Sequence, residues 1–92
     1  MTTIRIPPVL RAQAGGQKQV EVTGATVGEA IQALMALHPG LRQQLLADDG
    51  ALNLFVIVYL NDEDIRYMQE LGTPLDGRDT IVILPAMAGG AE

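Results

Sequence analysis

Two glycines near the carboxyl end of the sequence, Gly89 and Gly90, are the residues best suited to do chemistry in this chain. Glycine has no Cβ, so packing alone would not hold a diglycine segment in one conformation, and such a segment can thread a narrow channel. Ala88 precedes the pair, and Ala91 and Glu92 follow it. If Ala91 and Glu92 were removed, the Gly90 carboxylate would be an unhindered acyl group for a partner enzyme. The alternative is a frayed terminus without a role.

The composition excludes several classes of protein. A chain of 92 residues with 48% hydrophobic content suits one domain with one core. With no Trp, one Phe and a net charge of −5, it is not expected to bind nucleic acid or anionic membranes, and basic partner surfaces are its expected complement. The absence of cysteine excludes disulfides and a cysteine nucleophile. No signal peptide or membrane span is evident, so a cytoplasmic location is expected.

Alternating apolar and polar residues predict two strands at the start of the chain. The first covers residues 2 to about 8, and the second contains Val20 and Val22. Gly15 and Gly16 lie between them, so we expect a hairpin with its turn at these glycines. The pair is not followed by the Lys-Ser or Lys-Thr of a phosphate-binding loop, which argues against nucleotide binding there.

The spacing of Thr26 and Glu29 is that of a capping box and predicts the start of a helix. Pro39 and Gly40 should end it. Its apolar stripe recurs at helical spacing and consists of Val27, Ala30, Ile31, Leu34, Met35 and Leu37. A further short helix, reaching a turn at residues 48–50, is predicted from Leu41, Leu45 and Leu46.

Strands return in the second half of the chain. The continuous apolar run from Phe55 to Leu60 predicts a buried strand in the middle of the sheet. A short strand at Ile65–Tyr67 and a final strand from Thr80 to Leu84 should follow, with turn-rich sequence over residues 72–77 between them.

These elements predict an α+β domain over residues 1–86, followed by a flexible tail over residues 87–92. The sheet is expected to be mixed, with four to five strands and one main helix packed on one face. The first and last strands are candidates for a parallel pair at its centre.

The order of elements, the segment from Asn61 to Arg66 and the segment from Thr73 to Gly90 together resemble the ubiquitin-like β-grasp sulfur carriers, the ThiS/MoaD superfamily. Within it, the likeness is to the CysO-type carriers of thiocarboxylate-dependent cysteine biosynthesis. It extends over nearly the whole chain, including Ile6 to Arg11 and Gly15 to Lys18. The resemblance implies a β-grasp fold and a carrier that is a substrate of enzymes and not an enzyme itself.

The resemblance also implies a set of partners. An adenylyltransferase resembling ubiquitin-activating enzymes would activate Gly90 with ATP, and a sulfur donor would convert the acyl-adenylate to a thiocarboxylate. A pyridoxal-phosphate enzyme resembling cysteine synthases would accept the sulfur. A zinc metallopeptidase of the JAMM type would cleave the adduct and could remove Ala91 and Glu92. The carrier itself would bind no cofactor, since ATP and zinc are used by the partners.

Two groups of side chains are candidate partner contacts. The apolar group either extends a docking patch beside the tail or belongs to the core, and contains Leu60, Met68, Leu71 and Met87. The charged group is either a solvated turn or a contact for a basic patch on the adenylyltransferase, and contains Asp62, Glu63, Asp64 and Arg66.

The remaining candidates favour simpler interpretations. His38 has no second histidine or cysteine at ligand spacing, so no metal site is expected. Lys18 is the only lysine, which gives little support to chains built through lysines. Two alternatives to the sulfur carrier stay open: a ubiquitin-like modifier conjugated to target lysines through Gly90, and a structural interaction module with an inert tail.

Overall fold

Five strands form one mixed sheet in the computed structural model, which describes residues 1–53 and 56–85. The strands are β1 (Thr2–Arg5), β2 (Gln19–Val22), β3 (Val56–Leu60), β4 (Glu63–Asp64) and β5 (Thr80–Pro85). Their order across the sheet is β2-β1-β5-β3-β4. Only the β1–β5 pair is parallel among the described strands, so the predicted pairing of the first and last strands is confirmed.

The prediction that the apolar run ending at Leu60 forms the middle of the sheet is wrong. The central strand is β5, and β3 lies between β5 and the short β4. Phe55, where the run begins, lies outside the described residues. A continuous apolar run looks like a strand buried on both faces, but in β3 Val56, Ile57 and Tyr59 are only half-buried.

The main helix, α1 (Val27–Leu37), begins at the predicted capping box. The backbone N–H of Glu29 donates to Thr26 Oγ1 at 3.2 Å, and the Glu29 carboxylate accepts from the backbone N–H of Ala25 at 2.9 Å. The carboxylate therefore reaches the residue before the cap and not the cap itself. The bond to Thr26 satisfies a backbone donor that a helix start leaves without an intrahelical partner, and the bond from Ala25 ties the preceding residue to the first turn of α1.

The core lies between α1 and one face of the sheet. From the sheet it takes Ile4, Val20, Val22, Val58, Leu60, Ile81 and Ile83, and from the helix Val27, Ala30, Ile31, Leu34 and Met35. Leu37, which was predicted to belong to the stripe, is 60% exposed. It is the last residue of α1 and falls at the edge of the stripe at 100° per residue.

After α1, a 3₁₀ turn at Pro39–Leu41 leads into the short helix α2 (Arg42–Leu45). The predicted short helix is therefore present, but it ends at Leu45 and does not reach residue 48. Leu41 and Leu45 are buried against the core. Within the described residues, no helix is both long and apolar enough to cross a membrane.

Two connections differ from the prediction. β1 and β2 pair as expected, but a 3₁₀ helix over Pro8–Ala14 joins them in place of a tight hairpin turn, because proline suits the first positions of a helix. Gly15 ends this helix with a φ of 67°. Ile65–Tyr67 is also a 3₁₀ helix and not a strand, since the carboxylate of Asp64 caps it by accepting from the backbone N–H of Arg66.

Candidate functional site

The segment that contains Gly89 and Gly90 follows the central strand of the sheet. β5 is flanked by β1 and β3, and its last residue, Pro85, lies opposite Val56 of β3. Residues 86–92 lie outside the described residues, and with them the predicted reactive residue, the threading residues Ala88 and Gly89, the removable Ala91 and Glu92, and Met87. Five residues span at most about 18 Å, which bounds the distance from Pro85 to Gly90.

The face of the sheet opposite α1 carries an apolar surface next to this exit point, which we call the outer patch (Ile57, Tyr59, Val82 and Leu84). Ile57 lies opposite Leu84, and Tyr59 lies opposite Val82, so the four side chains form two adjacent rows. Leu84 is 43% exposed and the other three are half-buried. An exposed apolar patch of this kind marks a surface on which a partner protein can bind.

The outer patch replaces the apolar group that the sequence suggested. Leu60 is 4% exposed and belongs to the core, so for this residue the contact hypothesis is wrong. Leu71 packs half-buried against the core, within 3.3 Å of the position that a Cβ on Gly28 would occupy. Met68 is exposed at the surface, and Met87 lies outside the described residues.

The outer patch was missed although the sequence contains a signal for it. Two strands that are apolar throughout, packed in a sheet with one helical layer, must turn every second side chain away from the helix. In β3 and β5 these are the residues of the outer patch. The alternation was hidden because both runs are apolar on both faces.

A two-residue turn connects β3 to β4. Asn61 and Asp62 have φ of 51° and 73°, the left-handed values that hairpins with type I′ turns require and that Asn and Asp tolerate. Leu60 and Glu63 pair across this turn. Asp62 and Glu63 are exposed, which agrees with the solvated turn that the sequence suggested for them.

Asp64 departs from that interpretation because it is 8% exposed and ion-paired. Arg66 Nη2 lies 2.7 Å from Asp64 Oδ2, and Arg66 Nε is within 3.2 Å of both carboxylate oxygens. The hydrogen bonds from the Arg66 side chain and backbone hold the pKa of Asp64 below its usual value, and the Asp64 carboxylate raises the pKa of Arg66. Tyr59 lies opposite Asp64, so this ion pair borders the outer patch.

A second buried carboxylate joins the β3–β4 turn to the start of β5. Asp79 is 6% exposed and accepts from Asn61 Nδ2 at 2.8 Å and from the backbone N–H of Asp76 at 2.7 Å. Asn61 Oδ1 in turn accepts from the backbone N–H of Thr80 at 3.0 Å. Burial raises the pKa of Asp79, but the hydrogen bonds from Asn61, Asp76 and Gly77 outweigh it, so this pKa lies below its usual value. The network fixes the end of β5 farthest from Gly90.

The other candidates have ordinary surroundings. His38 follows α1, where its backbone N–H donates to the carbonyl of Leu34 at 2.9 Å. Over residues 1–53 and 56–85, no group of three or more His, Cys, Asp or Glu residues is placed to hold a metal ion. Lys18 is exposed just before β2, and Gly15 and Gly16 both have positive φ.

Comparisons with known proteins extend the likeness over almost the whole chain. A model of the ThiS family matches residues 4–90. The sulfur carrier protein CysO of Mycobacterium tuberculosis is 42% identical over 90 residues, covering 96% of this chain and 97% of the relative. The crystal structure of Mycobacterium tuberculosis CysO matches with a TM-score of 0.86 at 40% identity, covering 94% of this chain and 99% of that chain.

Two further relatives bear on function. A chain in the crystal structure of the Amycolatopsis orientalis BexX/CysO complex matches with a TM-score of 0.87 at 41% identity, covering 94% of this chain and 96% of that chain. The small archaeal modifier protein 1 of Haloferax volcanii is 34% identical over 82 residues, covering 86% of this chain and 90% of the relative. The TM-scores of 0.87 and 0.86 show that this chain shares its fold with the two CysO structures.

Proposed function

This chain belongs to the ThiS family, and we propose that it is a sulfur carrier whose Gly90, once terminal, is adenylated and converted to a thiocarboxylate that donates sulfur in cysteine biosynthesis. The observation that carries the proposal is the extent of the family match, which runs from Ile4 to Gly90 and so includes the diglycine. The 42% identity to CysO over nearly the full length of both chains supports the cysteine pathway among those that use such carriers.

The proposed chemistry occurs at one carbon atom. A carboxylate is a poor electrophile at neutral pH, so an oxygen of the Gly90 carboxylate first attacks the α-phosphorus of ATP and pyrophosphate leaves. Hydrosulfide, or a donor at the same oxidation level, then attacks the carbonyl carbon of the acyl-adenylate. AMP leaves with the carboxylate oxygen, one proton is released, and a thiocarboxylate remains on Gly90.

The folded domain supplies recognition in this scheme. The outer patch is the surface that would dock on the adenylyltransferase, because Leu84 is exposed and precedes the end of β5 by one residue. Gly90 lies six positions after Leu84 in the sequence, a stretch of chain that spans at most about 22 Å. A partner that covers the outer patch can therefore receive Gly90 in an active site at that distance. The ion pair of Asp64 and Arg66 would orient the complex at the edge of the patch.

Maturation must precede activation, because Ala91 follows Gly90 and keeps its carbonyl in an amide bond. A zinc metallopeptidase of the JAMM type is the proposed enzyme for this cleavage, and for release of the finished product from the carrier. The proposed acceptor of the sulfur is an activated serine on a pyridoxal-phosphate enzyme that resembles cysteine synthases. A tethered thiocarboxylate would deliver sulfur without releasing free sulfide.

The proposal is tested with two forms of the chain, one ending at Gly90 and one retaining Ala91 and Glu92. Each is incubated with the adenylyltransferase from the same cells, ATP and hydrosulfide, and is followed by pyrophosphate release and intact-protein mass. We expect replacement of one oxygen by sulfur only in the form that ends at Gly90. Pyrophosphate release from neither form would contradict the proposal.

A Gly90→Val variant of the shorter form tests the threading argument. The branched side chain should block charging because a narrow channel has no room for it, while the urea unfolding midpoint stays unchanged. A matched Gly72→Ala variant should be charged normally, since nothing in the described structure lies within 4 Å of a Cβ at that position. Charging of the Gly90→Val variant at the unaltered rate would refute threading.

A second candidate function is protein modification through Gly90, which the 34% identity to small archaeal modifier protein 1 favours. Both functions would use the same acyl-adenylate, and they differ in whether hydrosulfide or a target lysine attacks it. Immunoblotting of native cells would show conjugates larger than the free chain if this function operates. A sulfur-charged free chain without such conjugates would rule out protein modification and support the carrier function only.

A further inference from the structure

Charge is distributed unevenly along the chain. The first 20 residues contain Arg5, Arg11 and Lys18 but no Asp or Glu. The rest of the sequence contains the other three basic residues and all 11 acidic ones. The net charge of −5 therefore conceals a cationic amino-terminal segment, and such asymmetry is a recognised sign of an interaction surface.

The fold gathers these three cationic residues around Ile6. Arg11 Nε donates to the carbonyl of Ile6 at 3.1 Å, the backbone N–H of Ile6 donates to the carbonyl of Lys18 at 2.8 Å, and Arg5 precedes Ile6. Arg5 and Lys18 are exposed, and Arg11 is half-buried. Over the described ranges the recorded ion pair is that of Arg66 with Asp64, so none of the three has an acidic partner there. We call this group the basic rim (Arg5, Arg11 and Lys18).

The basic rim lies at the end of the sheet from which the diglycine segment departs. β1 and β5 run in the same direction, and Arg5 is opposite Val82 of the outer patch. Glu21, the first acidic residue of the chain, is opposite Thr3, which places it two residue pairs farther from that end than Arg5. Asp62 and Asp79 are at the opposite end, around the β3–β4 turn and the start of β5.

We propose that the basic rim binds an acidic strip on the adenylyltransferase, next to the channel that receives Gly90; this inference rests on the proposed function. The rim adjoins the outer patch through Arg5, which lies opposite Val82, so that the docking surface is apolar in the outer patch and cationic at this border. Exposed charges at the border of an interface act mainly on the rate of association and its salt dependence. The basic rim would therefore orient the acidic carrier during diffusional encounter, so that the end of the sheet that leads to Gly90 faces the partner.

The test measures pyrophosphate release from the chain ending at Gly90, with kcat and KM determined for the carrier. An Arg5→Glu/Lys18→Glu double variant reverses two charges of the basic rim. An Arg42→Glu/Arg78→Glu double variant is the matched control, because it makes the same change at exposed arginines away from the rim. We expect the first to raise KM at least about tenfold with kcat retained, and the control to leave KM within about twofold.

Salt and stability measurements complete the test. KM of the unaltered chain should rise with NaCl concentration, because salt screens the attraction between the basic rim and the acidic strip. KM of the rim variant should change much less with salt, because this attraction is already absent. Urea unfolding midpoints verify that both variants are folded. Equal KM values for the two double variants would overturn the proposed role of the basic rim and leave the proposed function intact. Absence of pyrophosphate release from the unaltered chain would overturn both proposals.

A nucleic acid would be the other kind of partner for a cationic surface, although the net charge of −5 opposes it. Fluorescence anisotropy with a labelled single-stranded RNA separates the two. We expect no binding by the unaltered chain. RNA binding that is lost in the rim variant, together with an unchanged KM for adenylation, would assign the basic rim to nucleic acid and overturn the protein partner.

Discussion

The side-chain amide of Asn61 donates to the buried carboxylate of Asp79 at 2.8 Å, across 18 residues of sequence. This bond joins the β3–β4 turn to the residue that precedes the central strand. The second oxygen of Asp79 accepts from the backbone N–H of Asp76. One carboxylate therefore holds the turn, the preceding loop and the start of β5 in register, and β5 leads directly to the segment that contains Gly90.

Asp79→Asn should lower the free energy of unfolding by about 1–3 kcal/mol, because an amide has one acceptor oxygen where the structure uses two. Urea denaturation at neutral pH measures the change. Asp62→Asn is the matched control, since Asp62 is exposed and Asn tolerates its left-handed φ of 73°. Equal midpoints for the two variants would show that the Asp79 network does not stabilise the fold.

The pH dependence of stability should reflect Asp64 and Asp79. Both have folded pKa values below the usual 3.8, so they stabilise the fold above that pH, where they are ionised in both states. This contribution is lost as the pH falls from 3.8 through the lower folded pKa values, because protons then bind the unfolded chain more readily. Urea unfolding over a pH series should show a smaller acid loss for Asp79→Asn. An identical pH profile would contradict the assignment.

Gly24→Ala should destabilise the domain although its φ is not left-handed. A Cβ at this position would lie 2.8 Å from the backbone nitrogen of Ala30, in the first turn of α1, and the helix cannot make room without shifting against the sheet. The expected loss is about 1–3 kcal/mol in urea denaturation. Gly72→Ala is the control, since a Cβ there meets nothing within 4 Å. A Gly24→Ala variant as stable as the control would show that the chain at residue 24 and the first turn of α1 can move apart at little cost in free energy.

Leu84→Asp should weaken activation of the chain by placing a charge in the outer patch. We expect at least about a tenfold rise in KM for the carrier in the pyrophosphate assay, since an ionised carboxylate buried in an apolar interface loses its hydration without gaining a partner. Leu37→Asp puts the same change on α1, where Leu37 is also exposed, and should leave KM unaltered. If Leu84→Asp lowers the urea unfolding midpoint, Leu84→Ala replaces it in the same KM measurement. Equal KM values for Leu84 and Leu37 variants would remove the outer patch from the docking surface.

The sequence predicted those parts of the fold that depend on local chemistry. The capping residues Thr26 and Glu29 fix the start of α1, and Pro39 fixes its end, because both signals act within a few residues. The order of elements offered β1 and β5 as candidates for a parallel pair, but composition could not set their register, which depends on contacts between the two ends of the chain. The connection between β1 and β2 was missed, because Pro8 can either interrupt a strand or begin a 3₁₀ helix, and only the packing of Leu10 and Ala14 decides between them.

The site was less accessible to sequence reasoning because its members are distant in the chain. Leu60 and Ile57 are both apolar residues of β3, yet one belongs to the core and the other to the outer patch, and only strand order and the side of the helix separate them. Asp64 was grouped with its exposed neighbours, although its bond to Arg66 makes it the structured member. The diglycine itself was evident from residue type alone, and its structure lies outside the described residues.

The most direct test of a sulfur carrier is intact-protein mass spectrometry of the chain isolated from its own cells under sulfur-demanding conditions. The account predicts a form that has lost Ala91 and Glu92, and a second form in which one oxygen of that product is replaced by sulfur. Fragmentation should place the sulfur on Gly90. A chain that retains Ala91 and Glu92 under these conditions, or one that is trimmed and never gains sulfur, would contradict the account.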